Sequence, residues 1–136
     1  MTITVEGISG AAYRIAIGRH EVVVDQPAQD GGEDRGPTPT DLFVAGLAGC
    51  AAFYAGKFLS RRGVAIDAVR AHCEYEITHE APARVAWISV SLELPPGLSE
   101  DVRAAALRAA DHCTVHNSLS EPPALSIQLQ DAAAAA

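Results

Sequence analysis

The chain lacks a surplus of base: its 136 residues hold 10 Lys+Arg against 17 Asp+Glu, a formal net charge of -7. Affinity for nucleic acid comes mainly from basic side chains that neutralise phosphates, so a nucleic-acid binder is not expected. The opening residues MTITVEGISG have neither a basic leader nor an apolar run of the signal-peptide kind, and export is not expected. The longest charge-free apolar stretch, Leu42 to Gly56, falls short of the ~20 residues that a spanning helix needs, so no membrane role is expected either. With only 3 Cys and no export signal, reduced thiols in a cytoplasmic setting are expected instead of a disulfide framework. Also missing are Gly-x-Gly-x-x-Gly, the P-loop and any internal repeat, which removes the usual nucleotide-binding routes.

What is present is 49% apolar residues, enough for one core. The expectation is a single domain over residues 1–131 with a frayed alanine tail at 132–136. Alternation predicts strands through Ile3 and Val5, through Tyr13, Ile15 and Ile17, and over Glu21 to Asp25. Gln26 to Gly36 has Pro, Gly and charge without apolar spacing, the composition of a surface loop. At Thr38-Pro39-Thr40-Asp41 three start signals stack: an N-cap, a Pro at the first helical position and an acid three residues after the cap. The helix should run through Leu47, Cys50 and Phe58 and stop near Arg61-Arg62-Gly63. It is apolar nearly all round, so it must be covered on every side, by a sheet and by a second subunit.

Val64, Ile66 and Ala68 fall on one strand phase and Ala71, Cys73, Tyr75 and Ile77 on the other, which a bulge near Val69 would reconcile. A second strand is expected from Arg84 to Leu94, then a helix capped by Ser99 with Cys113 in its last turn. Leu125, Ile127 and Leu129 alternate with polar residues as a closing strand. Strands that run in hairpins, with few crossovers, make an α+β fold.

Each cysteine has an ordinary reading as a small buried residue, and for mid-strand Cys73 that reading suffices. Cys50 differs in its neighbours, since Gly46, Ala48, Gly49, Ala51 and Ala52 leave room around the sulfur. Cys113 is followed by the polar stretch Thr114-Val115-His116-Asn117-Ser118, read as a turn that could carry it to the edge of a site.

G-P-T-P-T-D-L-F-V-A-G-L-A-G-C (Gly36 to Cys50), followed later by C-T-V-H-N-S-L (Cys113 to Leu119), resembles the OsmC/Ohr superfamily of thiol-dependent organic hydroperoxide reductases. I-G-R-H-E-V-V-V-D-Q-P before the acidic loop fits as well, so the resemblance extends from Tyr13 to Leu129. It implies an intertwined homodimer, each subunit a strongly bent antiparallel sheet around a central buried helix, with active sites at the subunit boundary. It also implies that Cys50 is the peroxidatic and Cys113 the resolving cysteine, with an organic hydroperoxide as substrate, a dithiol such as a lipoyl group as reductant, and no cofactor.

One departure from the family pattern concerns activation. The best-characterised branch holds an activating Arg with the Glu of an Asn-Pro-Glu segment, and the aligned residue here is Thr40. Asp41 is the candidate substitute, with capping of the helix as its alternative role. Arg19, in the turn after the second strand, is the candidate cation, with Arg14 behind it and a solvated turn as the alternative. Phe43, Leu47, Phe53 and Tyr54 flank Cys50 and are the candidate substrate-binding residues, favouring an organic group over hydrogen peroxide by roughly 25 cal/mol per Å² buried.

Two other readings compete. Cys113-Thr114-Val115-His116 has acceptable spacing for a metal, but no paired C-x-x-C accompanies it, so no metal site is assigned. The same fold could also bind or sense small apolar or electrophilic molecules without turnover. Catalysis needs the two sulfurs to meet, whereas a binder needs only a cleft.

Overall fold

The computed structural model describes residues 1–133. The N-terminal strands β1 (Ile3–Ser9), β2 (Ala12–Ile17) and β3 (His20–Val24) form an antiparallel sheet in that order. Its turns fall at Gly10 and Gly18, both at positive φ, where a residue without Cβ is least strained.

The stretch from Gln26 to Gly36 is ordered by one carboxylate. Asp25 is buried, and it accepts hydrogen bonds from the backbone N–H groups of Gln26 (2.7 Å), Glu33 (3.2 Å) and Arg35 (3.1 Å). Burial pushes its pKa up, but those three donors and the Arg35 guanidinium outweigh it, and the carboxyl lies below its ordinary value. Gly32 is required here, because a Cβ would stand 1.8 Å from the Gln26 carbonyl oxygen.

Helix α1 spans Pro39–Ser60 and opens with the expected capping box: Asp41 N–H donates to Thr38 Oγ1 (3.1 Å) and Thr38 N–H to the Asp41 carboxylate (2.9 Å). At 22 residues it is long and apolar enough to cross a membrane by length and composition alone. In this fold its Val44, Ala51, Ala55 and Leu59 side is buried, packed on β4 (Arg70–Ile77) and α2 (Glu100–Asp111). The opposite side, with Phe43, Gly46, Gly49 and Phe53, is exposed in the single chain.

Val64 to Ala68 does not form the expected strand. Ile66–Ala68 is a 3-10 turn pressed against α1, so close that a Cβ on Gly56 would lie 2.4 Å from the Ile66 carbonyl oxygen. The local contact with the helix prevails over a short alternation that has no strand beside it. β4 pairs antiparallel with β5 (Val85–Glu93), setting Ala71, Cys73 and Tyr75 opposite Leu92, Val90 and Ile88; the bulge falls at Glu76/Ile77, not at Val69.

Ser99 caps α2 as expected, accepting from Val102 N–H at 3.3 Å, but the helix ends at Asp111. Cys113 is therefore not in its last turn. It is the N-cap of a further helix, α3 (Thr114–Ser120), formed by the residues read as a polar turn.

The architecture is α+β, with antiparallel sheets and a long central helix. Within one chain the expected bent sheet is two separate sheets, of three and two strands. β4, β5, α2 and α3 pack against α1, while the N-terminal sheet has only slight contact with that group. Leu125, Ile127 and Leu129 form no strand in the single chain and stand 88%, 99% and 102% exposed. Of the anticipated alanine tail, residues 134–136 lie outside the described residues.

Candidate functional site

Three turns into α1, Cys50 borders the core cluster of Ala51, Ala55, Ala110 and Cys113. The short helix α3 brings Cys113 to it, and both are free thiols. Cys50 packs against the cluster that contains Cys113, near enough that it helps to raise the Cys113 thiol. Cys113 is closed off from solvent at 0% exposure, whereas Cys50 is half-buried.

As N-cap of α3, Cys113 Sγ accepts a hydrogen bond from His116 N–H at 3.4 Å. Burial raises its pKa above the ordinary thiol value, and the neighbouring Cys50 adds to the rise. The His116 and Val115 N–H groups oppose it only in part. Cys113 is thus held as a neutral thiol near neutral pH. Cys73, half-buried on β4, is also raised, first by burial and then by Glu74, and it lies outside the core cluster that joins the other two cysteines.

α3 is tied down on two sides. Tyr54 OH and Thr114 Oγ1 are 2.8 Å apart, a bond between the residue one turn after Cys50 and the residue directly after Cys113. On the other side the His116 ring hydrogen-bonds the Asp111 carbonyl, with its Nδ1 3.1 Å from the Asp111 carboxylate. The side chain of His116 is therefore turned to Asp111, and only its backbone serves the Cys113 sulfur.

The proposed activating groups sit elsewhere. The Asp41 carboxylate accepts from Tyr75 OH (2.6 Å), Thr38 Oγ1 (2.7 Å) and Thr38 N–H (2.9 Å), which joins β4 to the start of α1. The Tyr75 bond, followed by those of Thr38, holds its pKa below the ordinary carboxylate value. Arg19 is exposed in the β2–β3 turn, on the sheet that scarcely touches α1. Arg14, on the same sheet, stands 4.0 Å from Glu21.

An apolar cavity of ≈ 200 Å³ lies between α1, α2 and β5, lined by Leu47, Ala51, Ile88, Val90, Leu92, Leu107 and Ala110, with Asp111 and His116 at its polar end. Of the candidate substrate-binding residues only Leu47 lines it. Phe43 and Phe53 are 44% and 53% exposed, and the Phe53 ring meets that of Tyr54 edge-on at 5.8 Å. Ile88, Val90, Leu107 and Asp111 were not candidates on sequence grounds; their alternation and helical spacing mark them as core-facing, but not as the walls of a cavity. Among the described residues no group of three or more His, Cys, Asp or Glu is placed to hold a metal ion.

A family model described as OsmC-like protein matches residues 31–128. No curated protein sequence matches the chain. Among solved structures, a proposed osmotic stress induced and detoxification response protein from Psychrobacter arcticus is similar with a TM-score of 0.79 at 20% identity, covering 87% of each chain. An OsmC-like protein from Mycoplasma pneumoniae has a TM-score of 0.75 at 16% identity, over 89% of this chain and 87% of that one. The organic hydroperoxide resistance protein of Legionella pneumophila has a TM-score of 0.65 at 18% identity, over 88% and 89%.

Proposed function

This chain belongs to the OsmC-like protein family, and from that premise we propose that it is a cysteine-based reductase of organic hydroperoxides, working in the cytoplasm with Cys50 and Cys113 as its redox pair. The observation that carries the reading is the packing of half-buried Cys50 against the core cluster that holds the fully enclosed Cys113. The hydroperoxide resistance named for the Legionella pneumophila relative supports it.

In this reading the Cys50 thiolate attacks the terminal oxygen of R–O–O–H. The O–O bond breaks, the alkoxide takes a proton and leaves as the alcohol, and Cys50 becomes a sulfenic acid. Cys113 sulfur then attacks the Cys50 sulfur; a disulfide forms, and hydroxide leaves with the thiol proton as water. A dithiol reduces the pair again.

The working unit is a homodimer. An apolar α1 face, the N-terminal sheet and the extended residues 125–129 all lack cover in one chain, and a second copy is the simplest cover for all three. Arg19 is the proposed cation for Cys50 in that assembly, reaching the site at the subunit boundary. Leu47 and Tyr54, with Phe43 and Phe53 on the open α1 face, are proposed to receive the organic group.

Asp41 favours a second reading, since its carboxylate is engaged by Tyr75 and Thr38 and not by an arginine. Without an activated Cys50 the protein would bind or sense small apolar or electrophilic molecules and not turn them over. Steady-state kinetics with cumene hydroperoxide, hydrogen peroxide and a dithiol separates the two. Turnover at least about tenfold more efficient with the organic peroxide supports the reductase. Thiols that survive both oxidants sink it. Cys50→Ser should abolish consumption, Cys113→Ser should stall at a sulfenic acid trapped by a 1,3-dione, and Cys73→Ser should change little.

A further inference from the structure

Helix α3 carries Cys113 at its N-cap, yet it has little apolar grip of its own. None of its seven residues is buried, and of them only Val115 packs against the core cluster. An element with so little buried apolar surface opens locally at small cost, so the directed bonds at its start decide where it rests. Two such bonds reach other elements. The His116 ring, with Nδ1 3.1 Å from the Asp111 carboxylate, fastens α3 to the end of α2, and the 2.8 Å hydrogen bond between the Tyr54 and Thr114 hydroxyls fastens it to α1.

The second bond spans the two cysteines. Tyr54 lies four residues after Cys50, one turn along the same side of α1, and Thr114 directly follows Cys113. The hydroxyl contact therefore ties the helical neighbour of one sulfur to the chain neighbour of the other, whereas the His116–Asp111 contact reaches only α2.

Building on the reductase reading above, we propose that Tyr54 and Thr114 are positioning residues for disulfide closure: their hydrogen bond keeps α3 seated and so holds the Cys113 thiol ready for an oxidised Cys50. The two hydroxyls act through α3 and exchange no electrons. Without the bond, α3 lifts more often, and the sulfur that must close the disulfide spends more of its time away from Cys50. The pairing of the cysteines is thus set by a contact that belongs to neither of them.

The test uses the full chain carrying Cys73→Ser, to which Thr114→Val, Thr114→Ser, Tyr54→Phe or the Tyr54→Phe/Thr114→Val pair is added. In the reduced protein, N-ethylmaleimide labelling of Cys113, followed by peptide mass, reports how often α3 lifts, because the seated residue is 0% exposed. In glutathione buffers, glutathione disulfide takes up the two electrons and two protons that leave the cysteine pair, and the equilibrium gives the effective concentration of one thiol at the other. Thr114→Val should speed the labelling about three- to tenfold, the range one net hydrogen bond commands, and lower the effective concentration at least about twofold. Tyr54→Phe should do the same, and the double variant should do no more than either single one. Thr114→Ser keeps the hydroxyl and should stay within about 1.5-fold of the parent in both readings. So should Ser118→Ala, which removes a hydroxyl that bonds only within α3, to the Thr114 carbonyl at 2.8 Å.

Parental values in Thr114→Val and Tyr54→Phe, additive losses in the double variant, or an equal loss in Ser118→Ala overturn the positioning role and leave the reductase reading to its own turnover assay. If the parent closes no Cys50–Cys113 disulfide in any glutathione buffer, both fall together. If closure depends on the bond but hydroperoxides leave Cys50 intact, the reductase reading fails and the positioning role stands.

Discussion

The α1–β4–β5–α2 half of the chain and its two ends treat apolar residues in opposite ways. In the first, Leu59, Ala55 and Ala106 reach 0% exposure through contacts made by the chain itself. At the ends, Ile3 and Val5 of β1 stand 56% and 55% exposed, and Ile127 is 99% exposed although its segment alternates as a strand should. Leaving a large apolar side chain in water forgoes about 1.5–3 kcal/mol of burial. The lesson is that one half closes a core with its own contacts, whereas the ends leave their apolar residues uncovered in the single chain. Cys50 sits on α1 where the two meet, beside the closed core on one side and the open face on the other.

The largest expected effect comes from placing a charge on the open face. Phe53→Asp should convert the assembly to a species near the 14.2 kDa chain mass in sedimentation and lower hydroperoxide turnover at least about a hundredfold. A soluble dimer with full activity would show that this face is ordinary surface.

Leu59→Ala probes the half that closes its own core and should cost about 3–4 kcal/mol in chemical denaturation, as deletions from a closed core do. The matched change at an end, Val5→Ala, sharpens the contrast. A cost of about 1–2 kcal/mol means that a second copy covers β1, and a change within about 0.5 kcal/mol means that the residue stays in water.

The smallest effect concerns the junction itself. Tyr75→Phe removes the bond from β4 to Asp41 and should cost about 1–2 kcal/mol at pH 7. Because the folded Asp41 carboxyl is held below its unfolded value of about 3.9, the stabilisation is complete above that pH and is lost as pH falls through the folded pKa. The gap between parent and Tyr75→Phe should therefore narrow below pH 4 in denaturation curves. A gap that stays constant down to pH 2 would assign the bond no share in acid stability. Asp25 is held below its ordinary value and contributes with the same sign, so the parent curve should fall in the same acid window.

Legibility from sequence followed the range of the interactions. The start of α1 was readable because Thr38, Pro39 and Asp41 satisfy helix-end donors within one turn. Cys113 was misplaced because α3, with 7 residues, is too short for apolar periodicity, and Cys is not an expected N-cap. Val64 to Ala68 alternates like a strand, yet pairing depends on a neighbour that those residues cannot specify. Asp41 carried two readings, a cap and a support for a cation. The cap was legible three residues away, and its third partner, Tyr75, lies on another element far along the chain.

The amino-acid sequence by itself determined the α+β class, the limits of the two long helices to within a few residues and the strand phases of β4 and β5, because local hydrogen bonding and the period of burial set these, and the two cysteine motifs were legible as a resemblance. Only the tertiary structure decided that Cys113 is enclosed while Cys50 is half-buried, that Tyr54 bridges to Thr114, and that the two ends find no cover in their own chain. Those outcomes depend on contacts between residues distant in sequence, whose closure entropy and packing are settled only when the whole core assembles.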